Sequence, residues 1–211
     1  MRYLIVCGGK IDKEFGLNEI KTDGIDAIIA ADSGMDFLYE NSVTPDIIVG
    51  DFDSATTKAL EFFERKGQTE IHRLNPIKDD TDTEYAIRLA ISEGARSIVM
   101  LGATGSRIDH VLGNISLLGI GLESKTDISI IDTNNRIRMA DKPVTIEKSA
   151  QYGRFVSLIA VTDDNEVSLR GFKYPVTDYS FDRFTSLGIS NEIVDDHAPV
   201  SYTHLTLPTI A

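Results

Sequence analysis

The sequence predicts an α/β protein: an N-terminal parallel-sheet α/β layer domain over residues 1–124, followed by a small antiparallel β-sandwich domain over residues 125–198. Three observations predict it. Through residue 124, short apolar runs alternate with stretches of helical spacing, the pattern of a parallel sheet whose crossovers are helices. Beyond residue 125 the runs shorten, are divided by Asn, Asp and Gly, and have no convincing helix between them. The acidic and glycine-rich segments of the first part directly follow apolar runs, which puts them where open α/β sheets bind their ligands.

Tyr3 to Cys7 is the first expected strand, closed by Gly8-Gly9. The glycine spacing does not make a dinucleotide fingerprint, so the pair reads as a turn near the site. Ala27 to Ala31 is the second strand and delivers Asp32-Ser33-Gly34, with Met35 to Tyr39 as a short helix. Thr44-Pro45 breaks the chain before the run Ile47 to Gly50, which ends at Asp51-Phe52-Asp53. Ala55 to Lys66 has helical spacing, with Gly67 as its stop, and Glu70 to Leu74 is a fourth strand. Thr81 and Glu84 have capping-box spacing, so a helix starts at Thr81, runs to Glu93 and stops at Gly94. Ser97 to Leu101 is a fifth strand, leading through a loop from Gly102 to Asp109 into another helix. In the second part, Ile128 to Ile131, Arg136 to Met139, Val144 to Glu147, Phe155 to Val161 and Glu166 to Leu169 are expected strands.

Composition narrows the function classes. Of 211 residues, 42% are apolar and 26% charged, which suffices for a real core and for one large or two small domains. The formal net charge of -12 argues against a nucleic-acid partner, because phosphate-backbone binding needs a basic surface. It leaves room for a small phosphorylated ligand, since a metal can bridge carboxylates to phosphate. The single Cys7 excludes an internal disulfide and suits a reducing cytoplasm; in its apolar run it reads as a buried structural thiol. No signal peptide and no membrane-spanning stretch are expected.

The chemistry is carried by acids and a glycine loop. Asp51 and Asp53, two apart on an extended chain, project to one side. Paired carboxylates repel at neutral pH unless a proton or cation lies between them, and a hard divalent ion such as magnesium suits oxygen ligands. A lone Asp-x-Asp is more readily a helix cap beside a solvated neighbour. Asp32 and the run Lys78-Asp79-Asp80-Thr81-Asp82 favour the metal, because they recur at the same sheet edge. For Asp82, complementarity to the helix dipole is a strong competing explanation. Gly102, Thr104, Gly105, Ser106 and Arg107, between a strand and a helix N-terminus, make an anion site whose backbone N–H groups can approach phosphate. It is not a P-loop, as no Gly-Lys-Ser/Thr follows. His110 and Asn114 share a helix face; by periodicity alone His110 is a structural residue. The segment from Ser186 to Glu192 is polar and glycine-broken, either a loop or a ligand contact.

Residues 199–211 are set apart as a suspected non-native tail. From Pro199 to Ile210 His204 is the only acidic or basic side chain, in an otherwise acidic sequence, and the stretch resembles an in-frame translation of a sequencing adapter. The natural end is expected to be missing, leaving the β domain short of a strand pair and exposing an unpaired edge.

Four segments, Ala31 to Gly34, Gly50 to Ser54, Lys78 to Asp82 and Gly102 to His110, occur in this order and at separations similar to those of the thiamine pyrophosphokinase family, and Ser186 to Glu192 resembles that family's C-terminal motif. The resemblance covers the chain to about residue 192. It implies a homodimer with ATP in the α/β crevice and thiamine near the subunit interface, and transfer of the diphosphate of ATP to thiamine, giving thiamine diphosphate and AMP. By the same resemblance Asp51, Asp53 and Asp82, then Asp79, would hold magnesium, and Asp32 and Asp109 would complete the acidic ring. Gly102, Thr104, Gly105 and Arg107 would receive phosphate oxygens, His110 and Asn114 would shape the nucleotide side, and Lys78, Ser186, Ser190 and Asn191 are candidates for the thiamine side. The alternatives are another magnesium-dependent phosphotransferase on the same scaffold and a non-catalytic nucleotide- or thiamine-binding module.

Overall fold

The computed structural model describes residues 1–52, 56–75, 80–163, 165–203 and 207–210. It divides into two compact units, Met1–Thr133 and Asn134–Ala211.

Unit 1 is built on six parallel strands: β1 (Arg2–Val6), β2 (Ala27–Ala31), β3 (Ile47–Gly50), β4 (Glu70–Arg73), β5 (Ser97–Leu101) and β6 (Asp127–Ile131). Their spatial order is β4-β3-β2-β1-β5-β6. Helices α1 (Lys13–Ile20), α2 (Gly34–Glu40), α3 (Thr57–Lys66), α4 (Asp82–Ser92) and α5 (Ile108–Ser124) make the crossovers. The strands are apolar because helices cover them: Leu4, Ile5, Val6, Ile29, Ile48, Ile98 and Met100 are all buried. The order of connection reverses between β1 and β5, and such a switch point opens a crevice beyond the strand C-termini.

Most local signals act as expected. Gly67 closes α3 with a left-handed φ of 64°, and the Thr81 side chain accepts the Glu84 backbone N–H to cap α4. The reciprocal half of the capping box is missing, since the Glu84 carboxylate is taken by Arg88 one turn on. Helix α1 is not marked by the apolar spacing. Its signal is the Asp12 side chain accepting from the backbone N–H of Phe15 at 2.9 Å, an N-cap ahead of a weakly amphipathic segment.

One strand changes sides. The run Ile128 to Ile131 reads as the first strand of the antiparallel part, yet β6 pairs in parallel with β5, Ile98 opposite Ile128 and Met100 opposite Ile130. A buried apolar run of this length fits either sheet, and helix α5 before it supplies the crossover that a parallel pair needs.

Unit 2 contains β7 (Arg136–Ala140), β8 (Val144–Glu147), β9 (Ser157–Leu158), β10 (Asn165–Leu169), β11 (Val176–Phe181), β12 (His197–Thr203) and β13 (Leu207–Ile210), with a 3-10 turn at Lys148–Ala150. Four strands form an antiparallel sheet in the order β11-β10-β12-β8, while β13 pairs antiparallel with β7 and β9. Val156 and Leu158 share one apolar cluster with Val167, Leu169, Phe181, Ala198 and Val200, the two-layer core of a sandwich. The expected strand from Phe155 to Val161 shrinks to two residues, and β11 has no sequence signal. It is an edge strand whose residues from Thr177 to Ser180 are exposed, so no alternation marks it. Residues set aside as a tail are strand residues in the structure: Pro199–Thr203 complete β12 between β10 and β8, and Leu207–Ile210 form β13.

Candidate functional site

Parallel pairing sends the C-terminal ends of β1, β2, β3, β5 and β6 to one edge of the unit 1 sheet, and each end is followed by polar or glycine residues. At the switch point the loops after β1 and β5 touch. The Gly9 N–H donates to the Gly102 carbonyl at 2.9 Å, and a Cβ at Gly9 would lie 2.3 Å from that oxygen. Gly102 has φ +66°, and a Cβ there would meet the Cys7 carbonyl at 2.4 Å. Only glycine combines that backbone with that approach. Cys7 is buried, its thiol pushed up to about 12 by loss of solvent and only partly offset by the Thr83 hydroxyl, so it is a packing residue.

Asp32, Asp51 and Asp82 come together: one carboxylate oxygen from each lies within 4.8 Å of the others. Asp32 follows β2, Asp51 follows β3 and Asp82 opens α4. The Asp32 N–H donates to the Val49 carbonyl at 2.8 Å, which ties the first two loops together. Asp32 Oδ1 is buried with no hydrogen-bond partner. Burial raises the pKa of Asp32 first, and the neighbouring charges of Asp82, Asp51 and Asp36 raise it further, against a lowering hydrogen bond from the Ser33 backbone. Three clustered carboxylates, one of them with a buried, unsatisfied oxygen, are a donor set that a hard cation completes. The residues therefore fit a magnesium ion.

The loops around the trio are conformationally tense. Asp32 has φ 49° and Phe52 has φ 65°, left-handed values that are uncommon for Asp and a genuine outlier for a bulky aromatic residue. The Phe52 ring is covered by the Arg73 guanidinium at 5.4 Å from its centroid.

On the glycine-loop side the Thr104 hydroxyl donates to Asp132 Oδ2 at 2.9 Å, so its proton is already engaged. Asn114 Nδ2 donates to the Ala103 carbonyl at 2.8 Å, bracing the loop from α5. Gly105, Arg107 and His110 are exposed. Asp109 is not one of the trio. Its carboxylate is paired with Arg107 at 2.7 Å, and that hydrogen bond, with the His110 backbone N–H, holds its pKa below the ordinary value.

In unit 2, Ser186 and Ser190 are exposed, Ser190 at φ 59° with its N–H bonded to Ser157 Oγ. Asn191 is buried and committed to the fold. Its Oδ1 accepts from the N–H groups of Tyr174 and Glu192, and its Nδ2 donates to the Tyr174 carbonyl. Asp53, Lys78 and Asp79 lie outside the described residues.

The sequence reading missed two residues. Asp132 was hidden because its strand was assigned to the wrong sheet; once β6 joins the parallel edge, an Asp just past its end is a site residue by position. Asp36 lies in the first turn of α2, where an acidic residue draws no notice.

Two family models match the chain. "Thiamin pyrophosphokinase, catalytic domain" covers residues 21–131, and "Thiamin pyrophosphokinase, vitamin B1 binding domain" covers residues 143–207. A curated thiamine pyrophosphokinase from Bacillus subtilis (strain 168) is 34% identical over 176 residues, 82% of this chain and 81% of that protein. The fold is similar to the crystal structure of thiamine pyrophosphokinase from Bacillus subtilis, with a TM-score of 0.88 and 31% identity over 100% of this chain and 98% of that one. It is also similar to the crystal structure of the enzyme from Geobacillus thermodenitrificans, with a TM-score of 0.84 and 30% identity over 100% and 96% of the two chains.

Proposed function

The chain belongs to the thiamine pyrophosphokinase family, and from that premise we infer that unit 1 carries the machinery that moves the diphosphate of ATP onto thiamine. The observation that supports this most is the convergence of the Asp32, Asp51 and Asp82 carboxylates, with Asp32 Oδ1 buried and without a partner.

In this reaction the thiamine hydroxyl oxygen forms a bond to the β-phosphorus of ATP. The bond from that phosphorus to the oxygen bridging to the α-phosphorus breaks, AMP leaves with that oxygen, and the hydroxyl proton passes to a base. Such transfers depend on alignment and on neutralising the charge of the phosphoryl oxygens. Asp32, Asp51 and Asp82 would hold magnesium, with Asp53 and Asp79 assigned to the same site by sequence. Bound there, the metal supplies charge neutralisation for the phosphate oxygens. The chain's own residues do the rest. Backbone N–H groups from Gly102 to Gly105, at the entry to α5, receive phosphate oxygens at positive helix-end potential. Arg107 is exposed beside them, and Asp109 holds its guanidinium at the rim. Asn114 keeps the loop in place through Ala103, with His110 one turn before it on the nucleotide side. Thr104 leans on Asp132, so its backbone N–H faces the phosphates more readily than its hydroxyl does.

Unit 2 takes thiamine, with Ser186, Ser190 and Asn191 as the residues assigned to it there, and Lys78 of unit 1 is a further thiamine candidate by sequence. The commitments of Asn191 make it a brace for the Tyr174 turn more than a direct contact. The working protein is a cytoplasmic homodimer. No helix among the described residues is long and apolar enough to cross a membrane.

Purified protein incubated with ATP, magnesium and thiamine, with nucleotides and thiamine esters resolved by chromatography, tests this. AMP and thiamine diphosphate in equal amounts are expected. ADP with thiamine monophosphate would replace this reading by ordinary γ-phosphoryl transfer, and tight ligand binding without turnover would make the chain a binding module. Light scattering gives the mass that checks the dimer.

A further inference from the structure

We propose that Asp36 is a positioning residue for the acidic trio: bound to Thr56, it ties the N-terminus of α3 to α2, so that Asp51 stays beside Asp32. The inference rests on the reading of the trio as the magnesium site.

Asp36 is two helical positions past Gly34, on the helix that Asp32 leads into. Its carboxylate accepts from the Thr56 backbone N–H at 3.2 and 3.3 Å, and from the Thr56 hydroxyl. Thr56 is the N-cap residue of α3, yet its side chain caps nothing in that helix. A Thr at this position ordinarily accepts an N–H of its own first turn. Here the hydroxyl is turned outward as a donor to Asp36, giving up its local role for a bond across the sheet edge. Asp32 and Asp51 lie at the start of the two segments so joined, and both segments carry a left-handed residue, Asp32 and Phe52. Such conformations persist only where the surroundings over-determine them. The Asp36–Thr56 contact supplies a constraint at the start of α3, and Arg73 stacked on Phe52 supplies one just past the end of β3.

A carboxylate this near the trio could instead act by its charge or as a ligand. The two roles separate by substitution. Asn at 36 can still accept from the Thr56 N–H and donate to its hydroxyl, while carrying no charge; Ala can do neither.

The probe is manganese(II), an oxygen-preferring stand-in for magnesium, titrated into the full chain with the free ion read by electron paramagnetic resonance. Asp36→Ala should weaken manganese binding about tenfold, the equivalent of losing a hydrogen bond to a charged group. Asp36→Asn should stay within about twofold of wild type, and Thr56→Val, which keeps the backbone N–H, should fall between them. Asp36→Ala with Thr56→Val should be no weaker than Asp36→Ala alone, because the two act through one contact. Equal affinity of Asp36→Ala and wild type overturns the proposal. Asp36→Asn as weak as Asp36→Ala also overturns it, in favour of a charge or ligand role. Asp51→Asn is the control: if it binds manganese as wild type does, the trio is not the metal site and the proposal falls with that reading. A purely structural Asp36 would lower the melting temperature of Asp36→Ala and leave the affinity of the folded fraction unchanged, which counts as overturning. Asp36→Asn and Thr56→Val keep the comparison usable if Asp36→Ala does not fold.

Discussion

At the scale of single residues, Asp32 carries a conflict between folding and function. Its pKa is raised, by burial first and then by the charges of Asp82, Asp51 and Asp36. A carboxyl whose folded pKa lies above its unfolded value favours the fold fully below the unfolded pKa. That contribution is lost as pH rises through the folded pKa. At neutral pH the ionised Asp32 therefore opposes the metal-free fold, and its unsatisfied Oδ1 adds to the cost. Asp32→Asn should melt at a higher temperature than wild type at pH 7 without metal. The difference should shrink as the pH falls through the acid range. With magnesium at about 100 times its Kd, wild type should gain about 2.7 kcal/mol by linkage, and the variant little. Differential scanning calorimetry with and without magnesium measures both. A variant less stable than wild type without metal at pH 7 would show that Asp32 is satisfied in the fold and not held in reserve for a cation. Asn suits the position, since it tolerates φ 49° as Asp does.

At the scale of elements, the glycine turns at the switch point fix how the loops after β1 and β5 meet. The loops after β1 and β5 approach so closely that the Gly9 N–H reaches the Gly102 carbonyl, while Gly102 itself needs a left-handed backbone against the Cys7 carbonyl. Gly102→Ala should cost about 2 kcal/mol or more, combining left-handed strain with a clash against backbone that has no flexible end to yield. Its KM for ATP should rise more than its KM for thiamine, because the displaced loop belongs to unit 1. Chemical denaturation and steady-state kinetics check the two halves; unchanged stability would mean that the turn relaxes without strain. These elements were legible in the sequence wherever burial on both faces left an uninterrupted apolar run ended by glycine or aspartate: β2, β3 and β5 match the expected bounds, and Asp32, Asp51 and Gly102 fall where their strands deliver them. Where one face is wet the signal fails, as in exposed β11; in β6 it is ambiguous although Ile128 to Ile131 are buried, because a buried apolar run can belong to either sheet. Helix α1 was silent because its only mark is a capping aspartate. Contacts between loops, Asp36 with Thr56 and Thr104 with Asp132, join residues 20 and 28 positions apart and follow from sheet order, which a linear pattern does not state.

At the scale of the whole molecule, the division at Thr133 and Asn134 separates two kinds of chemistry. Unit 1 holds the acids and the glycine loop, and its sheet edge concentrates negative side chains. Unit 2 has no such cluster among the described residues; it offers a sandwich core, exposed aromatic rings at Phe155 and Tyr174, and a Glu192 carboxylate already engaged by Lys173 and Arg154. Those two rings already carry the Arg154 and Lys173 side chains at 5.0 and 5.6 Å from their centroids, and the vitamin B1 binding family model covers residues 143–207. Ligand protection should therefore divide along the same line. In hydrogen exchange on the full chain, magnesium with a non-hydrolysable ATP analogue should slow amides near Gly9, Asp32, Asp51, Asp82 and Gly102 to Gly105. Thiamine alone should slow amides around Phe155, Tyr174 and Ser186 to Glu192, and leave Gly102 to Gly105 unchanged. The reverse pattern, thiamine protecting the glycine loop and leaving unit 2 untouched, would assign acceptor and donor to the opposite units. Ser190 is the sharpest reporter in unit 2: its N–H is bonded to Ser157 Oγ at 3.0 Å at an exposed left-handed turn, and thiamine held there should slow its exchange.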